Sequence, residues 1–330
     1  MDISRKPHDT FFRSFFSHVD TMQELLDQVL PPELLSDIDR KSLQIDSQSY
    51  IDEKGSEWFS DIAASVNISG ATQRVYLLFE HKSSYDAMVH LQILNYMQQT
   101  WRRDVGTRKG SKVKLCPILP ILFYHGPNRS IDPGFHSLLS AAMNKANQRH
   151  QPDFNLIVYN LSQLSDARIG GSMDVQAALL SLKHARDNLS HLLAQLNRLA
   201  NQGGVLLVHN PRFRQIELYI LSAAGLTNRE LQEKIQAEVT NPVLQEAFMS
   251  TAQLLIQEGR QEGRQEGRQE GRQEGLEMGL EKGVQKGRLE EALLVAKRLK
   301  AMGMSLEQIA GIVDLPLDEL TALLTANTDE

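Results

Sequence analysis

Three ionisable residues near one point of the chain have the types that phosphoryl chemistry needs: Asp61, Glu80 and Lys82. Two carboxylates brought together offer hard oxygen ligands to a divalent cation. A lysine beside that cation can orient or activate water and offset charge on a phosphate. Glu80 and Lys82 are i and i+2, and on a strand those positions share a face. The same residues also have an ordinary reading, as solvated charges at strand ends. A carboxylate followed by Glu-x-Lys arises by chance in many chains.

The flanking pattern supplies elements able to position them. From Trp58 to Val66 apolar side chains recur at alternate positions, as a strand requires. Arg74 to Phe79 is an apolar run that reads as a buried strand ending on Glu80-His81-Lys82. Paired as a hairpin, the two strands could set Asp61 beside Glu80 and Lys82. A helix is expected over 86–105, with Gln92 and Tyr96 four apart on one face. A longer amphipathic helix is expected over 9–30, stopped by Pro31-Pro32. Asp9 falls at its N-cap position, and His8 reads as a structural residue hydrogen-bonded near the helix start.

Asp61, Glu80-His81-Lys82 and Gln92-x-x-x-Tyr96 together resemble the PD-(D/E)XK nuclease core. The opening Pro7-His8-Asp9-Thr10-Phe11-Phe12 and the stretch Leu119 to Gly126, ending Phe-Tyr-His-Gly, resemble more narrowly the bacterial recombination-promoting nuclease / putative transposase family. That likeness covers roughly residues 5 to 250. Ser60 stands where the superfamily name has proline. The resemblance implies an α/β fold, a restriction-endonuclease-like mixed sheet flanked by helices, followed by an α-helical C-terminal half. It implies metal-dependent DNA endonuclease activity feeding recombination. Asp61 and Glu80, with the backbone carbonyl of His81, would bind Mg²⁺ (or Mn²⁺ or Ca²⁺), and Lys82 would serve catalysis. A first-helix acid, Asp9 or Glu24, could assist the metal, or Asp9 could simply cap its helix. Gln92 and Tyr96 would support the site or touch DNA. An idle nuclease fold acting as a DNA- or protein-binding module, and an RNA nuclease, are the competing readings.

The net charge of −6 means that nucleic-acid contact must come from a local basic patch. One candidate is Arg102, Arg103, Arg108, Lys109 and Lys112, running from a helix end into a loop. Cations suit a helix C-terminus, so a solvated loop and a phosphate-contacting loop both fit. A first strand is expected over 41–51 and another over 115–124. Pro117 and Pro120 argue for an edge or irregular place for the latter. A further strand is expected over 154–159, and helices from 173 to 250. Cys116 is the only cysteine, which leaves no disulfide framework. With no apolar leader and no membrane-length apolar run, a cytoplasmic protein without membrane contact is expected.

Four segments follow: a nuclease core over 1–165, a helical extension over 166–250, a Glu-Gly-Arg-Gln repeat over 251–287 and a small helical hairpin over 288–330. Glycine recurs every fourth residue from Gly259 to Gly287. Each such glycine costs about 1 kcal/mol against alanine inside a helix. Four residues turn about 400°, so the glycine stripe winds by about 40° per repeat. A straight partner helix could not follow it. A marginal helical spacer with weak self-association is expected, though a structureless linker fits almost as well. In the hairpin, Ser305 and Gln308 form a capping-box pattern. The last helix carries Asp318 and Glu319 and no Lys or Arg, which suits protein contact better than a major groove.

Overall fold

The structure, a computed structural model, describes residues 7–46, 50–51, 57–58, 62–69, 74–107, 114–139, 147, 149–203 and 208–326. The chain forms two compact units, Met1–Leu254 and Leu255–Glu330.

The first unit is mixed α/β. Its five-stranded sheet comprises β1 (Ile38–Asp46), β4 (Ile62–Ile68), β5 (Arg74–Lys82), β6 (Ile118–Tyr124) and β7 (Ile157–Asn160), in that spatial order. The short strands β2 (Tyr50–Ile51) and β3 (Glu57–Trp58) pair separately. β4 and β5 form the expected antiparallel hairpin, with Ile62 opposite Phe79. β5 and β6 are parallel, which requires a crossover, and α4 (Val89–Thr107) provides it. β5 is thus the middle strand, and its C-terminal end carries the Glu-His-Lys sequence.

Alternation along β5 sorts its side chains between two cores. Leu77 and Phe79 face a large apolar cluster shared with α1 (Pro7–Phe16), α2 (Val19–Val29) and the helices after the sheet. Tyr76 and Leu78 face a smaller cluster with Ile93, Tyr96 and Met97 of α4. The later helices, α5 (Met173–His184), α6 (Leu189–Gly203), α7 (Phe213–Ala223) and α8 (Asn228–Glu238), add Leu179, Leu193, Phe213 and Ile235 to the larger cluster. The helical half therefore shares one core with the sheet. A six-residue helix, α3 (Pro32–Asp37), leads from α2 into β1.

Several expectations are corrected. The single helix over 9–30 is two, broken at Ser17-His18, where His18 is extended at φ −101°, ψ 138°. The Thr21 hydroxyl donates to the Phe15 carbonyl at 2.7 Å and satisfies an acceptor that the break would orphan. Val19 would lie on the apolar stripe of a continuous helix, yet it is 45% exposed. α1 starts at Pro7, so Asp9 lies within its first turn rather than at its N-cap. The first strand starts at Ile38 and ends at Asp46, short of residue 51. Trp58 belongs to β3, not to the strand that holds Ala64 and Val66.

Nor is the proline-bearing strand at an edge: β6 lies between β5 and β7. Tyr76 N donates to Pro117 O, and His125 N donates to Lys82 O. Odd positions of β6 therefore bond to β5, and the missing N–H of Pro120 points toward β7. Pairing on that side begins only at Ile121–Ile157, so no ladder bond is lost.

The helix α9 (Pro242–Ala301) runs through the glycine repeat and spans the boundary between the units. In the second unit its last turns pack with α10 (Leu306–Val313) and α11 (Leu317–Ala326) around Ala296, Ile309, Leu320 and Leu324. Gly303, at φ +87°, ends α9, and the Ser305–Gln308 capping box starts α10. A Cβ added to Gly263, Gly267 or Gly271 would meet nothing within 4 Å. Changing all three to alanine should stabilise the helix by about 1 kcal/mol per site. Circular dichroism should then show helical signal persisting to higher temperature. A loss of helicity would mean that the bare stripe is occupied by another backbone. No helix among the described residues is long and apolar enough to cross a membrane.

Candidate active site

Glu80 and Lys82 project from the end of β5 toward α4, as their i, i+2 spacing requires. Glu80 is only 4% exposed, and a buried carboxylate needs donors. Lys82 Nζ lies 3.0 Å from Glu80 Oε1, and Gln92 Nε2 donates to the same oxygen at 2.8 Å. Lys82 also donates to Gln92 Oε1 at 2.9 Å and to Asp86 Oδ2 at 3.1 Å. Its three N–H directions thus each have an acceptor. Gln92 bridges the pair, accepting from the lysine and donating to the carboxylate. Tyr96 Oη, one turn along α4, lies 2.5 Å from Gln92 Nε2 and fixes the amide.

Burial, the largest influence on Lys82, would lower its pKa, but Glu80 and Asp86 together outweigh it and hold it above the ordinary lysine value. The lysine is therefore a fixed cation. Asp86 was not among the sequence candidates. Its signal was local: it precedes α4 and accepts from Met88 N at 2.9 Å, an Asx turn that leads the chain into the helix. Burial would raise the Asp86 pKa, but the hydrogen bond from Met88 N and then the hydrogen bond and charge of Lys82 together lower it.

His81 faces the other way. Its ring stacks on Phe12 at 4.7 Å and on His125 at 4.7 Å, and Nδ1 lies 3.1 Å from Asp9 Oδ1. His8 lies 5.1 Å from the His125 ring, and its Nδ1 is 2.8 Å from Tyr219 Oη. His125 Nδ1 bonds the Leu182 carbonyl at 2.8 Å. Burial, more than the neighbouring imidazoles, keeps the His125 pKa well below its ordinary value, so the ring stays neutral. The Pro-His-Asp opening and the Phe-Tyr-His-Gly strand end thus meet behind the residues that carry Glu80 and Lys82. Gly126 belongs to this arrangement: a Cβ there would lie 2.9 Å from the Ser83 carbonyl and 2.6 Å from Tyr124 Oη.

The other candidates divide. Asp9 is engaged by His81, on the opposite side of β5 from the Glu80 carboxylate. Glu24 accepts from Ser172 N at 2.6 Å, at the start of α5. Arg103 is ion-paired with Asp46 at 2.8 Å, and Arg102 is exposed. Asp61, Arg108, Lys109 and Lys112 lie outside the described residues, and β4 begins at the residue after Asp61.

Residues 6–205 match the family described as "Putative transposase, YhgA-like". Among curated proteins, the chain is 27% identical over 258 residues to the recombination-promoting nuclease RpnA of Escherichia coli K12, covering 78% of this chain and 85% of that protein. It is 33% identical over 120 residues to RpnD of E. coli O157:H7, covering 36% of this chain and 45% of RpnD, less than half its length. It is also 25% identical over 256 residues, 77% of this chain and 82% of the relative, to a K12 protein named inactive recombination-promoting nuclease-like protein RpnE. No solved structure matches.

Proposed function

This chain belongs to the family of YhgA-like putative transposases, and on that premise we propose that it is a Mg²⁺-dependent DNA endonuclease with a PD-(D/E)XK core. The observation that carries the reading is the Glu80–Lys82–Gln92 constellation at the end of the central strand. Its donor set fits a hard cation. Glu80 supplies carboxylate oxygen, and Asp61, the residue before Ile62, is proposed as the second carboxylate. The His81 carbonyl would complete the protein ligands. Magnesium held there supplies Lewis-acid chemistry, polarising a phosphate and acidifying water.

The chain's own residues do the rest. Lys82 places a fixed positive charge where a scissile phosphate would lie, and it would orient water by giving up one of its three present acceptors. Asp86 and Gln92 hold the ammonium in place, so little reorganisation is required when charge develops. Gln92 also fixes the Glu80 carboxylate, and Tyr96 fixes Gln92. Hydrolysis adds a water oxygen to phosphorus and breaks one ester bond, and the released oxygen takes up a proton. Arg102, Arg108, Lys109 and Lys112 would contact phosphates without reading sequence.

The relative named inactive, similar over most of this chain, favours a second reading: a nuclease fold kept for binding. Plasmid cleavage separates the two. Wild type with Mg²⁺ or Mn²⁺ should cut, and EDTA should stop it. Asp61→Ala should lower the rate at least ~10²-fold. DNA binding without cutting in any of Mg²⁺, Mn²⁺ or Ca²⁺ would support the idle fold. Cutting confined to an RNA substrate would reassign the enzyme as a ribonuclease.

A further inference from the structure

A second group of metal-capable side chains lies in the first unit, formed by residues outside the proposed nuclease site. Asp166 follows β7 in a 3₁₀ turn, His184 ends α5, and His191 stands in the first turn of α6. One ligand atom from each lies within 4.8 Å of the others. We propose that Asp166, His184 and His191 form a transition-metal site of the two-histidine, one-carboxylate kind, with zinc as the ion it fits.

Both imidazoles present Nε2 to the Asp166 carboxylate: His191 lies 2.7 Å from Oδ2, and His184 sits between the two oxygens, 3.1 Å from Oδ2 and 3.0 Å from Oδ1. Oδ1 is also held by Lys183 Nζ at 2.7 Å. The lysine thus fixes the carboxylate from behind, as outer-shell partners do at metal sites, and leaves Oδ2 as the ligand. Zinc bonds to nitrogen and oxygen of about 2.0–2.2 Å in a tetrahedron would place ligand atoms roughly 3.4 Å apart. The two N–O separations, 2.7 and 3.1 Å, need to open by about 0.7 and 0.3 Å. Imidazole nitrogen with carboxylate oxygen suits zinc, and three protein ligands leave one position open.

The Asp166 side chain is 18% exposed and those of His184 and His191 are 15% and 40%, so an ion can enter from solvent through the His191 side. Once bound, it would clip the turn between α5 and α6 to the end of the sheet.

The test is zinc titration of the full chain by calorimetry, with thermal unfolding alongside, for wild type, His191→Gln and Asp166→Asn. Wild type should bind one zinc that both variants lose, with affinity falling at least ~10-fold and the zinc-induced rise in Tm disappearing. Zinc bound elsewhere would appear equally in all three proteins. His191 is the decisive position because its partial exposure makes the change tolerable to the fold. Circular dichroism without metal checks this. Equal zinc affinity in wild type and a folded His191→Gln, or no binding by wild type, overturns the site. Neither result depends on DNA cleavage.

Discussion

Replacing Lys82 by methionine should destabilise the first unit by roughly 3 kcal/mol and also remove cleavage. The stability loss does not come from the salt bridge being strong. It comes from what is left behind. Glu80 is buried, and its Oε1 relies on Lys82 and Gln92 as donors. Methionine fills the aliphatic path of the lysine but leaves the carboxylate charge without its cation. Removing one partner of a buried pair costs more than removing both. The double variant Glu80→Gln/Lys82→Met should therefore recover most of the lost stability, because a glutamine at 80 can still bond with Gln92. Urea unfolding of the two single variants and the double variant gives the coupling directly. Cleavage should not recover in the double variant, falling by ~10²-fold or more in all three. Additive losses below ~1 kcal/mol would make Glu80 and Lys82 an ordinary solvated pair, and retained cleavage would sink the catalytic assignment.

The pairing of Glu80 with Lys82 is legible in the sequence, whereas its energetics depend on burial. The i, i+2 spacing of Glu80 and Lys82 and the i, i+4 spacing of Gln92 and Tyr96 are local, and local periodicity survives folding. The β4–β5 hairpin and α4 were legible for the same reason. His81 was expected to matter through its backbone carbonyl. Its ring also meets Asp9 and His125, residues distant in sequence that no spacing rule connects. The break between α1 and α2 depends on Thr21 reaching the Phe15 carbonyl, an alternative bond that an apolar repeat cannot announce. Pro120 was misjudged because proline removes a donor on only one side of a strand. Which side is empty is a property of the assembled sheet. Asp166, His184 and His191 come from three elements, so only the packed structure brings them together.

Glu217 was silent in the sequence too, since it reads as one polar residue on the amphipathic α7. It is 4% exposed; Oε2 accepts from Thr251 at 2.9 Å, and Oε1 is buried without a hydrogen bond among the described residues. Burial dominates, only partly offset by Thr251 and Arg214, and pushes its pKa from 4.5 up to about 7. Between those two pH values the native protein keeps a proton that the unfolded chain has released. Stability must then fall as pH rises through this window, by on the order of 3 kcal/mol, and level off above it. Imidazoles act in the opposite sense. His8, His125 and His184 all have lowered pKa values, so their burial costs stability as pH falls below 6.5. The pH profile of the wild type alone therefore cannot isolate Glu217. The difference between wild type and Glu217→Gln can, because the histidines cancel. Glutamine mimics the protonated acid, so the two proteins should be closest in stability near pH 4. The variant should gain steadily on the wild type up to about pH 7, and the gap should then stay constant. Urea unfolding from pH 4 to 8.5 measures it. A gap that does not change with pH would mean that Glu217 is ionised throughout and that water or an unseen cation reaches it.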